Sequence, residues 1–399
     1  MYADAIALEK KALELDPRSP IISSNLAYSY GYAGRFDKAF EEAEKNIRLN
    51  PDHPTPYFRY ATGLSFTGQH EKAIEMGKKG MAIDSLSLLN NQYMADVYRR
   101  AGMYDKAVGV LQRMMDNNPE LTRAALLSIG FVYRHKGDFG EAIAHYQRAL
   151  KLDPVDVDAY RYLGNLYRIT GEYEKALAPY RKIIELEPER PGNYQRLGHT
   201  LSIIGDHEGA IEQFQKAVEI NPTDYDHLGV AYWCARDFKR AAENLKKALE
   251  VVPDNAYATI CLFYIYLSND QFAHGVEYAK RYFDICDFPN RDAIYNKAFS
   301  GGIIDKETTK NYIRYILDEI NKRENPGWQP RQRAALYSFV DEKDSTFVML
   351  EKAFDRQDLY LALSIQTTFY DKLRSDPRYD ALIKKLKLEK YIKPLEKRD

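Results

Sequence analysis

Small residues recur along this chain at nearly constant spacing, and the apolar positions between them follow the pattern of paired helices. Successive small residues are 34 or 35 positions apart, with one step of 31 positions. A period of this length is typical of stacked helical hairpins, each of which buries its apolar face against its neighbours. The pattern therefore predicts a helical solenoid. The recurring positions are Ala5, Ala39, Ala73, Ala107, Ala142, Ala176, Ala210, Ala241 and, in the same role, Gly275.

Glycine and proline mark the turns of the predicted hairpins. A glycine ends the first helix, since it adopts left-handed backbone without a Cβ clash. A proline stands at the turn after the second helix, where its missing N–H costs little. The last two repeats are degenerate because Arg236 and Asp270 replace the glycine. The turn glycines are Gly34, Gly68, Gly102, Gly137, Gly171 and Gly205, and the prolines are Pro17, Pro51, Pro119, Pro154, Pro188, Pro222 and Pro253.

Two consecutive periods resemble the consensus of the tetratricopeptide repeat (TPR) family almost position by position. The resemblance implies an all-α fold, a right-handed α-α superhelix or TPR solenoid of about eight hairpins. These hairpins would run from Pro20 to about Asp287, after a lone second helix at residues 2–16. The resemblance also implies a scaffold that binds a peptide or protein segment in a concave groove lined by the first helices. The matching residues are Gly130, Tyr133, Gly137, Ala142 and Pro154, then Gly164, Tyr167, Gly171, Ala176 and Pro188.

The fixed phase is lost after Pro289, although helical patterning continues. We therefore predict a TPR solenoid at residues 1–288 and a helical C-terminal cap of degenerate repeats at residues 289–399. Residues 344–382 resemble the tails of the TPR regions of bacterial multidomain signalling proteins. This resemblance implies an alternative to a peptide-binding scaffold, namely a regulatory TPR region attached to a cyclase, kinase or winged-helix output domain. The predicted helices are 291–299, 306–323, 330–340, 344–356 and 377–387, with breaks at Gly301-Gly302 and Asn325-Pro326-Gly327.

Charge and composition narrow the classes of function. The formal net charge is −1 and the pI is about 6.7, so bulk charge favours neither nucleic acid nor an anionic membrane as a partner. Three cysteines without spaced partners indicate neither a disulfide framework nor a zinc site. No phosphate-loop, dinucleotide or nucleophile signature occurs. We predict a non-catalytic cytoplasmic protein without cofactor or metal, and a targeting segment removed upstream of Met1 stays an open alternative.

The chain starts in the middle of a repeat, which predicts an unusual N-terminal end. Residues 2–16 have the pattern of a second helix, whose face of Ala5, Leu8, Ala12 and Leu15 should pack on the next hairpin. Its own first helix is missing, and solenoids normally need polar caps. Homodimerisation through this uncapped end, as in a self-associating scaffold, is therefore an alternative to peptide binding.

The candidate binding residues lie on the first helices, either on the face away from the small residue and the repeat tyrosine or flanking that face. Arg99, Arg134 and Arg168 each follow that tyrosine, and arginine offers a planar fork for carboxylate or phosphate. A cation also complements the dipole at a helix end, so a solvated helix end is the alternative. The predicted partner is an acidic, extended peptide. The full candidate set is Arg99, Arg134, Arg161, Asn165, Arg168, Arg196, His199, Tyr93, Tyr162 and Trp233.

Two of these residues also resemble part of a known ligand site. Arg161 and Asn165 match the first two positions of the carboxylate clamp of chaperone-linked TPR domains. Arg196 and His227 stand where that clamp continues, and both depart from its pattern. The resemblance to the clamp is therefore partial.

Overall fold

The computed structural model of the protein describes residues 2–322 and 329–392, and within these ranges it contains α-helices, three 3-10 helices and no strand. The predicted break at Asn325-Pro326-Gly327 lies outside the described residues. The 3-10 helices span Pro119–Leu121, Pro222–Asp224 and Thr368–Leu373. The α-helices are α1 (Tyr2–Leu15), α2 (Pro20–Tyr32), α3 (Phe36–Leu49), α4 (Pro54–Phe66), α5 (His70–Ile83), α6 (Leu88–Arg100), α7 (Tyr104–Asn117), α8 (Thr122–Lys136), α9 (Phe139–Leu152), α10 (Val157–Ile169), α11 (Tyr173–Leu186), α12 (Pro191–Ile203), α13 (His207–Ile220), α14 (Tyr225–Cys234), α15 (Phe238–Val251), α16 (Ala256–Ser268), α17 (Phe272–Ile285), α18 (Arg291–Ala298), α19 (Lys306–Asn321), α20 (Pro330–Phe339), α21 (Lys343–Asp355), α22 (Leu361–Ser364) and α23 (Pro377–Lys385).

Eight consecutive hairpins follow α1, from α2–α3 to α16–α17, so the predicted all-α fold of stacked hairpins is confirmed. The six turn glycines have φ between 72° and 85°, in the left-handed region that favours glycine. Arg236 and Asp270 occupy the same turn position with φ of 62° and 56°. The degenerate repeats therefore keep the turn geometry, although a side chain there carries a steric cost.

Close approach within the hairpins explains the small residue that recurs on the first helices. A Cβ atom at Gly130 would lie 2.5 Å from Cε1 of Tyr146, and one at Gly164 would lie 2.6 Å from Cε1 of Tyr180. Both tyrosines are buried. Because a real Cβ atom cannot come so close, the ring of the second helix fills the space that the glycine leaves.

Helix α1 packs through a different face from the predicted one. Ile6 is buried and, together with the partly buried Leu13, joins the apolar cluster of the first hairpin. Leu8 and Leu15 are 69% and 86% exposed. The predicted contact face that includes these two leucines is therefore wrong, because α1 has apolar residues on several sides and the Ile6–Leu13 side makes the contact.

The chain divides into two compact units, unit 1 at Met1–Ala159 and unit 2 at Tyr160–Asp399. Unit 1 contains α1 to α9 and the start of α10, and unit 2 contains the remaining helices. In unit 2, α18 packs against α19 and α20 against α21, as two further helix pairs. Helix α22 and the 3-10 helix Thr368–Leu373 have no counterpart among the helices predicted from the sequence. The predicted domain division at residue 288 stays a prediction.

Candidate functional site

In unit 1, side chains link the first helices of successive hairpins into one surface. We call the side chains that α2, α4, α6 and α8 contribute to it the first-helix face of unit 1. The guanidinium of Arg59 on α4 lies 4.7 Å from the ring centroid of Tyr28 on α2 and 5.6 Å from that of Tyr93 on α6. Gln92 Nε2 on α6 donates a hydrogen bond of 2.9 Å to Ser128 Oγ on α8. Each first helix thus contacts the next.

The helices that contribute to this face contain more basic than acidic residues, and two of the basic residues, Arg123 and Lys136, pair with Asp156 and Asp105 outside these helices. Helices α2, α4, α6 and α8 contain six Lys and Arg residues and a single acidic residue, Asp96. Asp96 accepts hydrogen bonds from Arg99 and Arg100. Burial alone would raise the pKa of the Asp96 carboxyl, but the hydrogen bonds and charge of these two arginines outweigh burial and lower that pKa. The basic residues are Arg59, Arg99, Arg100, Arg123, Arg134 and Lys136.

Arg59 has no carboxylate partner in the part of the chain that the structure describes. Its buried Nε makes no hydrogen bond to any described group, and its guanidinium lies beside the two tyrosine rings. By contrast, Arg100 donates to Asp96 and Arg123 donates to Asp156. A guanidinium that stacks on rings and lacks a counterion can bind an incoming carboxylate in a bidentate manner.

A pocket of about 200 Å³ opens beside Arg59, between α2, α3 and α4. Exposed aromatic rings border it: Tyr28 donates a hydrogen bond of 2.9 Å to the hydroxyl of Tyr32, and the rings of Tyr32 and Phe66 are 6.5 Å apart. These three aromatic residues are 40–51% exposed, which is unusual for large apolar side chains clustered at one place. Small residues leave the space inside, among them Ala27, Gly31, Ala39 and Gly63.

In unit 2, the chain's own residues 359–371 lie against the first helices, and we call them the covering segment. Arg168 on α10 donates a hydrogen bond of 2.8 Å to the Leu359 carbonyl. Gln366 Nε2 donates one of 3.1 Å to the carbonyl of Ile203 at the end of α12. Arg168 is consequently only 6% exposed.

The far end of the covering segment is held by rings and an ion pair. The ring of Phe369 lies 5.0 Å from that of Tyr264 and 6.3 Å from that of Trp233. Arg236 donates two hydrogen bonds of 3.0 Å to the carboxylate of Asp371. Bidentate pairs of this kind combine charge with fixed geometry. The covering segment is thus attached near both of its ends.

His199 lies beneath the covering segment. Its ring is 5.2 Å from that of Tyr360 and 5.2 Å from that of His227, and neither of its nitrogens has a hydrogen-bond partner among the described groups. Burial, and then the nearby His227 and Arg168, lower the pKa of His199 well below its usual 6.5. The imidazole is therefore neutral at neutral pH.

The structure places the predicted site residues in two different settings. Tyr93, Arg99 and Arg134 belong to the first-helix face of unit 1. Arg168, His199 and Trp233 lie in unit 2 under the covering segment and are only 3–7% exposed, so they form no open surface here. The other predicted residues, on α10 and α12 of unit 2, are partly buried: Arg161, Tyr162, Asn165 and Arg196.

Two of these remaining residues already bind groups of the chain itself. Asn165 Oδ1 accepts a hydrogen bond of 2.8 Å from the Tyr180 hydroxyl. Arg196 Nη1 donates one of 2.7 Å to the Gly192 carbonyl. The predicted set omitted Arg59, although the scarcity of acidic residues on the first helices of unit 1 was readable from the sequence.

Models of a known family match the middle of the chain. Models described as tetratricopeptide repeat match residues 94–122, 157–190 and 191–224, and one described as TPR repeat matches residues 130–168. The chain is a tetratricopeptide repeat protein. Similar proteins include the DnaJ homolog subfamily C member 7 homolog of Schizosaccharomyces pombe, 29% identical over 171 residues. Another is the Hsp70-Hsp90 organising protein of Plasmodium falciparum, 28% identical over 125 residues.

These alignments cover only part of this TPR protein and of its relatives. They span 38% and 30% of this chain, and 36% and 48% of the respective relatives, so the chain matches less than half the length of either. Among solved structures, MamA is 27% identical over 40% of this chain and 95% of its own, with a TM-score of 0.35. Yeast Tom70 is 15% identical over 96% of this chain and 95% of its own, with a TM-score of 0.45.

Unit 2 of the TPR protein also contains a cleft of about 1060 Å³, lined by the ends of its first helices and by the C-terminal region. Charges in this cleft are paired within the unit. Arg236 binds Asp371, while Lys310 and Lys372 both bind Asp341. Partial burial alone would raise the pKa of Asp341, but hydrogen bonds from the two lysines outweigh it and hold that pKa at about 2. The carboxylates of the cleft thus already neutralise cations.

The described part of the TPR protein holds no group of three His, Cys, Asp or Glu residues that could bind a metal ion. Burial raises the pKa of the Cys234 thiol to about 12 and also raises that of Cys261. Because the thiolate is the reactive form, both thiols are poor nucleophiles at neutral pH. No described helix combines the length and the apolarity needed to cross a bilayer.

Proposed function

We propose that this TPR protein is a non-catalytic scaffold that binds an extended, acidic segment of another protein on the first-helix face of unit 1. The observation that carries the proposal is the concentration of positive charge and exposed aromatic rings on α2, α4, α6 and α8. Arginine and aromatic side chains are the common anchors of protein interfaces. Relatives such as the Hsp70-Hsp90 organising protein carry names that refer to protein partners, which is in keeping with the proposal.

The first-helix face of unit 2 takes no part in the proposal, because the covering segment lies on it. Of the three predicted arginines that follow the repeat tyrosine, Arg99 and Arg134 therefore remain, and Arg99 already shares Asp96 with Arg100. Well-made hydrogen bonds to charged groups contribute about 1.5–3 kcal/mol each, whereas exposed ion pairs contribute about 0–1 kcal/mol. After the cost of ordering an extended peptide, a few such contacts give a Kd of about micromolar.

The proposal is tested by screening the full chain against a displayed library of random peptides. The selected peptides should be rich in Asp and Glu, and their affinity should fall with added salt, because exposed charges are screened over about 8–10 Å. Hydrogen exchange in the presence of a selected peptide should show slower exchange in α2, α4, α6 and α8. Selection of neutral or basic peptides, or slower exchange confined to unit 2, would contradict the proposal.

Self-association through α1 is a second proposal, favoured by the exposed Leu8 and Leu15 on one side of that helix. A second copy of the chain would cover these leucines by a symmetric contact. Light scattering across concentration should then detect a dimer for the wild type and a monomer for the double variant Leu8→Glu, Leu15→Glu. A wild-type chain that stays monomeric at all concentrations rules out this second proposal.

A further inference from the structure

We infer that the pocket beside Arg59 is an anchor pocket, which receives one large apolar side chain of the bound segment while Arg59 binds a nearby carboxylate of the same segment. The inference rests on the proposed function and specifies the partner chemistry that this site recognises. The recognised element is a Leu, Met or aromatic residue together with an Asp or Glu.

The pocket exists because Gly31 interrupts the side-chain pattern of the first helices. The same position, directly after the repeat tyrosine or its equivalent, carries Ser65, Arg99 and Arg134 in the next three repeats. A Cβ atom at Gly31 would have no atom within 4 Å, so no described group fills the space that a side chain would take there. Gly31 is the last residue but one of α2, so the space lies at the C-terminal end of that helix.

The size and lining of the pocket define its occupant. About 200 Å³ accommodates one large side chain, and the wall consists mainly of small apolar residues and aromatic rings. Tyr28, Tyr32 and Phe66 at the border are half-exposed, so an apolar side chain that enters would remove several exposed rings from water at once. Burying apolar surface is the main favourable term in association.

Arg59 determines the charge that must accompany the apolar side chain. Its guanidinium is flanked by Tyr28 and Tyr93, which restrict its orientation. A hydrogen bond from Tyr28 to Tyr32, followed by partial burial, raises the pKa of Tyr28 to about 12. The phenol beside the guanidinium is therefore neutral, and the positive charge of Arg59 is left for a ligand.

The spacing between the two recognised groups follows from the geometry of an extended chain. Residues i and i+2 of such a chain project to the same side, about 7 Å apart. Arg59 borders the pocket directly, at 4.7 Å from the ring centroid of Tyr28. The acidic residue of the partner is therefore two positions from the apolar residue.

The test measures fluorescence anisotropy of four synthetic acidic peptides with the full chain. The parent peptide has a Leu two positions from an Asp, and the others replace the Leu by Ala, the Asp by Asn, or both. Two variants alter the site: Gly31→Leu fills the pocket, and Arg59→Gln removes the charge. The matched controls on the second helix α7 are Gly109→Leu and Arg113→Gln, because a Cβ at Gly109 meets only the Arg113 Nη1 atom, at 3.6 Å.

With the wild type, replacing the Leu by Ala should weaken binding about 10-fold, and so should replacing the Asp by Asn. Gly31→Leu should cancel the first effect and Arg59→Gln the second, as in a double-mutant cycle. Both controls should bind like the wild type, and a cooperative thermal unfolding transition of each variant establishes that it folds.

The outcomes separate the anchor pocket from the proposed function. Salt-sensitive binding of the acidic peptides that is unaffected by Gly31→Leu and Arg59→Gln would overturn the anchor pocket and leave the proposed function standing. Equal loss of binding in the α7 controls would also overturn it. If none of the acidic peptides binds the wild type, the anchor pocket and the proposed function both fall.

Discussion

Gly164 and Gly109 both lie inside helices, but only Gly164 faces a buried ring. A Cβ atom at Gly164 would lie 2.6 Å from Cε1 of Tyr180, whereas one at Gly109 meets only the flexible end of Arg113. Alanine is favoured over glycine in a helix by about 1 kcal/mol, while overpacking a filled core costs about 1–3 kcal/mol. The two glycines should therefore respond to the same substitution with opposite signs.

We predict that Gly164→Ala lowers the free energy of unfolding by up to about 2 kcal/mol and that Gly109→Ala raises it by up to about 1 kcal/mol. The tyrosine ring cannot move aside because it is fully buried and its hydroxyl is bonded to Asn165. Urea unfolding of both variants beside the wild type measures the two effects. Stabilisation by Gly164→Ala would mean that the hairpin has room that the structure does not contain.

The sequence predicts some residue-level features of the candidate site and misses others. The pairing of Asp96 with Arg99 and Arg100 was readable, because positions three and four apart lie together on a helix. The empty space at Gly31 was not readable. The repeat phase separates Gly31, directly after the repeat tyrosine, from Gly164 at the recurring small position, but whether a neighbouring side chain fills the space beside Gly31 is known only once the helices are packed.

At the scale of elements, the repeating hairpins follow from the sequence and the covering segment does not. The period near 34 residues placed all eight hairpins, since each helix only has to fit its neighbours. Helix α22 has four residues, Leu361–Ser364, which is too short for a helical period to be recognised. Its partners lie far away in sequence, as in the hydrogen bond between Arg168 and Leu359, 191 positions apart.

The neutral His199 beneath the covering segment makes the attachment of that segment sensitive to pH. In the attached state the pKa of His199 lies well below 6.5 because of burial and of the nearby His227, Arg168, Arg196 and Arg331. When the segment and its surroundings open, His199 regains an ordinary pKa near 6.5. Below that pH only the open state binds the proton, so attachment weakens by up to about 1.4 kcal/mol per pH unit.

We predict that the free energy of opening of residues 359–371 falls between pH 6.5 and pH 5.5, and that His199→Phe removes this fall. Hydrogen exchange, corrected for the intrinsic effect of pH, measures this free energy. His135→Phe in unit 1 is the matched control, since burial also lowers the pKa of His135 and this ring contacts Phe131 of its own helix. An equal pH dependence in wild type and His199→Phe would contradict the role given to His199.

At the scale of the whole molecule, the two units differ in how far apart in sequence their contacts reach. In unit 1, hydrogen bonds between hairpins join neighbouring repeats, as from Gln92 to Ser128, 36 positions apart. In unit 2, Lys390 binds Glu174 across 216 positions. Unit 1 therefore has the near-neighbour coupling of a simple repeat array, whereas contacts from the C-terminal region tie distant repeats of unit 2 together.

Tyr146 and Tyr180 allow the same perturbation to be made in each unit, because both rings are fully buried against a glycine of the first helix. Replacing either by alanine removes a large buried side chain, at a cost of about 3–5 kcal/mol. In unit 1, we expect Tyr146→Ala to reduce protection from hydrogen exchange chiefly in α8, α9 and the adjacent repeat. In unit 2, we expect Tyr180→Ala to reduce protection from hydrogen exchange in α10 and also in the covering segment. The two are linked because Arg168 on α10 donates a hydrogen bond to the Leu359 carbonyl. A loss confined to α10–α13 in the Tyr180→Ala variant would show that the covering segment does not couple the repeats of unit 2.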